Sequence, residues 1–525
     1  MMDGRGPVGP GIIEFPRLTN PDDEAPVTSI DKARTDVQEA IRELLAIADC
    51  AEPTAAASAE PRLWSGLLVL GRALMALFFA RQAARWRVGR SYDVDGECFA
   101  VVGRETTEVG TRFGKVILEQ PVGMRRGDLR AARDWPLLRE LGLPAGFTML
   151  VVTTMARLCA QMAFASARDL SRHLFEWTPS PRAVLRMVDA VGERARGFLD
   201  QAPPPDEDGD VLVIMVDGKG APAISSTEYA RRARPHGERK ANRRHGRRQK
   251  RRERPRVRRG PGKKSKNAKM AAVGVLYTLR RDADGKLDGP VNKRVYGTFA
   301  GYRAVVEWLA QEAKKRGYGT AKFTKVLFVA DGADAIWTLQ QEFFPDAEVC
   351  LDWYHVVEKL WAAGKAICRG TRRHRAALEA WVADQKKRLR QGDVDQVIAT
   401  IAEALSSTAV TGPGNKYRRE VLGAVHDHFV KNTARMQYAK LRRADLDIGS
   451  GVVEGAVRHL VGVRLDGPGM RWGRGRAEAI LHLRCVLING LWDDFSRFLT
   501  AQADFRLRSQ PVPTRTHDAV MKRAA

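Results

Sequence analysis

Cysteine is scarce, and its placement excludes more than its number. Six residues (Cys50, Cys98, Cys159, Cys350, Cys368 and Cys485) are scattered over 525 positions without a CxxC pair. That pattern argues against a zinc ribbon or a disulfide framework and for a reducing compartment. No apolar run approaches eighteen residues, so no membrane span is expected. The N-terminal stretch MMDGRGPVGPGIIEFPRL lacks a basic start followed by an apolar core, so no secretory signal is expected. Acidic residues are also short: 62 Asp and Glu face 88 Lys and Arg, a net charge of +26. Such an excess points to a polyanionic partner.

Much of the excess is local. Between Arg231 and Lys269 lie twenty Lys or Arg against two acids, Glu238 and Glu253. This segment includes Arg243, Arg244, Arg247, Arg248, Lys250, Arg251 and Arg252 and has almost no apolar residues. It is expected to stay disordered until an anion meets it. A solubility tail is the ordinary reading of such a run, but its position between two strands favours nucleic-acid contact.

The strongest signal is a repeated pattern. Val211–Gly220, VLVIMVDGKG, is a short apolar run that stops at Asp217 and Gly218. Lys325–Gly332, KVLFVADG, does the same at Asp331. Each reads as a buried strand closed by a glycine turn. A carboxylate at a buried strand end is costly unless it is wetted, paired or bound to a cation.

In chain order, residues 1–30 are Pro/Gly-rich. Ile30–Cys50 and Leu63–Val88 show helical spacing, and Ser91–Met124 reads as short strands. Trp135–Leu199 is helical. Within it, Ser166–Arg194 reads as helix, break, helix, with Ser166 or Ser171 as cap: a helix-turn-helix candidate or an ordinary helical hairpin. QAPPPDEDG is a linker. Strand Val211–Val216 is followed, after the basic insert, by strands Met270–Leu279 and Val291–Thr298 in an antiparallel meander. Helix Tyr302–Arg316, strand Lys325–Ala330, helix Ala333–Phe344 and strand Ala347–Leu351 come next. That order is an RNase H-like core, in which the first and fourth strands lie side by side and bring Asp217 to Asp331. Val357–Leu441 is a helical insertion, and Ile448–Leu465 a helix with Glu454 in its first turns. The fold class is therefore α+β and multidomain. The expected divisions are 1–130, 131–205, 206–362 with the insert 231–269, 363–445, 446–500 and a tail 501–525.

A site with two Mg²⁺ or Mn²⁺ ions needs hard oxygen ligands on ions roughly 3.5–4 Å apart. Two aspartates leave it under-charged, and Glu454 is the best third acid. Taken alone, Glu454 would read as a surface glutamate. Arg458, one turn on, suits a phosphate.

The stretches VDGKG at Val216, VADGADAIW at Val329, LDWYHVVEKLW at Leu351, GSGVVEGAVRHLVGVR at Gly449 and GPGMRWGRGRAEAILHLRCVLINGLWDDF at Gly467 carry a resemblance. Together they resemble a DDE transposase of a bacterial insertion sequence, of the Kra type within the Mutator-like group. The resemblance implies catalytic, metal-binding Asp217, Asp331 and Glu454, and an Asp-x-x-His element at Asp352 and His355. It departs from relatives that carry paired N-terminal cysteines, since Cys98 stands alone.

The implied activity is divalent-metal-dependent cleavage at element ends and strand transfer into target DNA. The implied partner is double-stranded DNA, bound by a homodimer or larger assembly, in a cytoplasmic, nucleoid-associated setting. A nuclease or resolvase of the same fold and a domesticated non-catalytic binder are the alternatives. Asp352 with His355 would orient substrate or form a structural pair. A zinc role for Cys350 near His355 lacks partners at ligand spacing. Trp472 would stack on an unpaired base or fill a core, and Lys219 and Arg471 would reach phosphates.

Overall fold

The computed structural model describes residues 30–85, 90–94, 96–125, 133–224, 268–368, 375–446, 448–467 and 470–502. The basic insert lies almost wholly outside them, and so do its seven residues named above. The chain divides into two compact units: Met1–Met155, Phe164–Met187 and Thr500–Ala525 in one, Ala156–Ala163 and Val188–Leu499 in the other.

The first unit opens with helices α1 (Ile30–Ala48) and α2 (Ala56–Arg85). Strands β1 (Ser91–Val94), β2 (Glu97–Thr111) and β3 (Gly114–Arg125) follow as an antiparallel meander. The β2–β3 turn is closed by Thr111, whose hydroxyl donates to the Gly114 carbonyl at 2.8 Å. Ala76 and Phe79 of α2 pack with Val109, Val116 and Leu118 of the sheet and with Leu137 and Leu143 beyond it. By length and composition alone α2 is apolar enough to cross a membrane, a test that core helices also pass. Arg62, Arg72 and Arg81 interrupt the run, so no uninterrupted apolar stretch marks it in the sequence.

Helices α3 (Pro136–Glu140), α4 (Met149–Gln161), α5 (Phe164–Phe175) and α6 (Pro181–Gln201) follow. Helix, break and helix thus fall where expected, but neither Ser166 nor Ser171 caps α5. Ser171 lies inside that helix and donates to the Trp177 carbonyl at 3.2 Å. Ser180 caps α6 instead, accepting from the Ala183 amide at 3.2 Å. The part of α6 in the second unit is a core helix, with Val188, Val191, Ala195 and Leu199 buried.

The second unit is built on a mixed sheet. Its strands are β4 (Val211–Ile224), β5 (Ala268–Arg281), β6 (Leu287–Thr298), β7 (Lys325–Ala330) and β8 (Glu348–Leu351), in spatial order β6-β5-β4-β7-β8. The first three are antiparallel, and β4, β7 and β8 run parallel. This is the strand order expected of an RNase H-like core. The apolar runs of β4 and β7 are buried on both faces, as parallel strands under helices should be. Helix α7 (Tyr302–Lys315) crosses from β6 to β7, and α8 (Asp334–Phe343) from β7 to β8.

Beyond β8 the chain is helical: α9 (Trp353–Ile367), α10 (Arg375–Gln391), α11 (Val394–Ser407), α12 (Asn415–Asn432) and α13 (Tyr438–Arg443). Helix α14 (Gly451–Val457) runs on through a π-helical turn at Arg458–Gly462. It packs on β4 and β5. A two-residue strand β9 (Trp472–Gly473) pairs parallel with the far end of β4. Helices α15 (Arg474–Ile488) and α16 (Trp492–Ala501) complete the unit. Gly192 of α6 lets the backbone of α15 approach at Ala479, and Arg476 holds Asp189 through two bonds of 2.9 and 2.6 Å.

Candidate active site

The site forms where β7 stops and β4 does not. The parallel pairing ends at Val216↔Ala330, while β4 continues against β5 as far as Pro222↔Ala268. Asp217 therefore sits within a strand rather than at its end, a correction to the sequence reading. The reason is that VDGKGAPAI keeps an extended backbone for which β5 supplies partners. Asp331 is the first residue after β7. Side-chain oxygens of Asp217 and Asp331 and a ring nitrogen of His355 lie within 4.8 Å of one another.

The glycines after the two aspartates are not turn glycines. A Cβ on Gly218 would fall 2.6 Å from the Tyr302 hydroxyl, and one on Gly332 would overlap the His428 ring. Each glycine thus admits a ring beside its aspartate. Tyr302 begins α7 and His428 lies on α12 of the insertion. Nothing in the sequence singled out either residue; a glycine beside a site carboxylate was the one available signal. Burial, and then the charges of Asp331 and Asp217, push the Tyr302 hydroxyl up to about 12. Burial pushes His428 down to about 4, with Lys359, His355 and Lys431 adding to it, so the ring is neutral.

Asp352 is the buried hub. Its carboxylate caps α9, accepting from the amides of Tyr354 (3.2 Å) and His355 (3.1 Å). It also accepts from the Ser450 amide at 2.8 Å and meets His355 Nδ1 at 2.5 Å. Burial alone would raise its pKa, but these bonds from His355 and Ser450 hold it below the ordinary range. The Asp352 bond raises His355 to about 9 against the effect of burial, and the charges of Asp217 and Asp331 add to it. Near neutral pH His355 is then an imidazolium facing two carboxylates. Burial raises Asp217, a shift that His355 opposes and Asp331 reinforces.

Glu454 lies outside the group formed by Asp217, Asp331 and His355. It is exposed, and its Oε1 accepts from the Ser450 hydroxyl at 3.0 Å. Ser450, fixed by its amide on Asp352, holds the glutamate at the end of a hydrogen-bonded chain that runs through Asp352 to His355. The donor set Asp217 and Asp331 suits one hard divalent cation, which prefers carboxylate oxygen.

The other expected contacts divide. Arg458 and Arg471 are exposed. Lys219 is half-exposed and lies 3.5 Å from Asp466. Trp472 is 6% exposed, donates to the Leu465 carbonyl at 3.0 Å and lies under Arg464, whose guanidinium is 4.7 Å from the ring centre. It is a core tryptophan, which removes it from base stacking, because its pairing with β4 buries the ring. Cys350 is buried, and no cysteine joins the one candidate metal group among the described residues.

A family model described as transposase, of the DDE type and ISL3 group, matches residues 301–406. The match spans Tyr302, Asp331, Asp352 and His355 and the first helices of the insertion, so that stretch is similar to the transposase family, while Asp217 and Glu454 lie outside it. No curated protein matches the chain.

Proposed function

We propose that this protein is a transposase that cuts DNA at the ends of a mobile element and joins them to a target. The observation that carries this reading is the meeting of Asp217 and Asp331 where β7 ends, in a sheet of RNase H-like order, with Asp331 inside the stretch that resembles transposases. Divalent cations, Mg²⁺ or Mn²⁺, would supply the Lewis acidity that phosphoryl transfer draws on. Asp217 and Asp331 would hold the cation, with Glu454 as the third carboxylate available to it once free of Ser450. Asp352 orients His355, whose positive charge offsets the two carboxylates before a cation arrives. Tyr302 and His428 wall the site and limit where a phosphate can enter.

For the subgroup, the match over 301–406 favours ISL3 over the Kra type suggested by the motifs. Lys219, Arg458, Arg471 and the basic insert are the residues that would meet phosphates. Pairing two DNA ends requires at least two copies of the chain.

The test uses duplexes copied from the DNA flanking the reading frame, with a free 3′-hydroxyl at the element end. Incubated with a supercoiled plasmid and Mg²⁺, they should become covalently joined to it. Hydrolysis without joining would identify a nuclease of the same fold and refute the proposal.

A further inference from the structure

We propose that the helical insertion carries a second DNA-backbone site, a groove between α10 and α13 that takes a phosphodiester away from the catalytic aspartates. The groove is a cavity of about 370 Å³ lined by Lys386, Lys387, Arg390 and Gln391 of α10 and Arg442 of α13, with Ala383 at its edge. Four cations and no acid line it. An ordinary solvated helix interleaves its charges and pairs them at i,i+4. Helix α10 does so elsewhere: Arg375 meets Glu379 at 2.8 Å, and Arg388 meets Asp384 at 2.9 Å. On α13, Lys440 meets Glu348 at 3.2 Å. Glu379, Asp384 and Glu348 are thus engaged by other cations. Among the described residues none lies within ion-pair distance of Lys386, Lys387, Arg390 or Arg442.

Packing holds the like charges in place. Val382, Gln385 and Leu389 of α10 and Leu441 of α13 are buried and fix the two helices. The Arg390 guanidinium lies 4.9 Å from the ring centre of Trp353, the residue after the hub Asp352. That ring meets Tyr438 edge-on at 5.1 Å, and the Tyr438 hydroxyl donates to the Leu351 carbonyl at 2.9 Å. Keeping unpaired cations around one cavity is unfavourable until an anion enters, so the arrangement stores attraction for a phosphate. Through Trp353 the groove is mechanically continuous with the helix that carries His355. The choice of DNA as the anion rests on the proposed function.

The experiment needs no cleavage and is done in EDTA, so inactivity of the enzyme cannot mimic its failure. Binding of the full-length protein to a fluorescent duplex of arbitrary sequence is titrated with salt, for the wild type and for Lys387→Gln/Arg442→Gln. A control, Lys286→Gln/Lys293→Gln, removes equal charge from exposed sites elsewhere in the same unit. Each phosphate that is no longer neutralised should flatten the slope of log K against log salt by about 0.9, so the groove variant should lose about two units. The control should keep its slope, and both variants should melt as the wild type does. An unchanged slope, or equal flattening in the control, would overturn the proposal. So would an unchanged DNA slope with loss of inorganic-phosphate binding, which would mark a free-anion site.

Discussion

Gly332 and Gly218 show how a single missing side chain shapes the site. Both follow a site aspartate, and both leave room for a ring that no periodicity announces. A methyl group on Gly332 would meet His428, which is held by the packing of α12, so Gly332→Ala should cost about 1–3 kcal/mol through overpacking. Shortening the ring in the same chain, as Gly332→Ala/His428→Ala, should recover much of that loss, because the two changes share one contact. Chemical denaturation of the single and double variants measures both terms. Strict additivity of the two losses would show that the ring and the glycine are independent. Residue types and chain positions singled out the two aspartates, whereas the Asp352–His355 pair entered only through the family resemblance. Tyr302 and His428 were not legible, since they reach the site from elements far along the chain by packing alone.

Elements were the most readable scale. The six residues of β7 and the meander β4-β5-β6 follow from apolar runs and turn residues. The length of β4 does not, because its second half is extended only through pairing with β5. The start of α14 was legible, whereas the Ser450 bond that holds Glu454 aside depends on Asp352, almost a hundred positions earlier. Glu478 of α15 has a comparable tie to β6. It accepts from the Thr298 hydroxyl, from the Phe299 amide at 2.8 Å, and lies 3.2 Å from His482 Nε2. Burial alone would raise its carboxyl, but His482, Thr298 and Phe299 outweigh burial and lower it. A lowered folded-state pKa contributes stability above the unfolded value, near 4.3, and loses it as pH falls through the folded value. Glu478→Gln should therefore cost about 1–3 kcal/mol at pH 7 and almost nothing near pH 2. Urea unfolding at the two pH values reads the difference. A constant cost at both would separate the role of Glu478 from its charge.

At the scale of the whole molecule, the concentrated positive charge and the candidate site fall on different stretches of the chain. The net +26 is concentrated in the insert that leaves β4 a few residues beyond Asp217. If about six of its cations meet phosphates at once, a Gly/Ser replacement of residues 239–266 should flatten the salt slope of DNA binding by roughly five units. Preference for the element's ends over random DNA should survive, because uniform attraction cancels in the ratio. An unchanged slope would turn the insert away from DNA. The proposed catalysis, by contrast, would turn on the two aspartates. The measurement is Mg²⁺-dependent cleavage and joining of element-end duplexes by the wild type, Asp217→Asn, Asp331→Asn and Glu454→Gln, with DNA binding followed in parallel. Each variant is predicted to bind DNA as the wild type does and to lose cleavage and joining together, since ligands of one site fail as a unit. Wild-type cleavage by Asp217→Asn or Asp331→Asn would contradict the account. Wild-type cleavage by Glu454→Gln alone would return that glutamate to the surface, where the Ser450 bond now holds it.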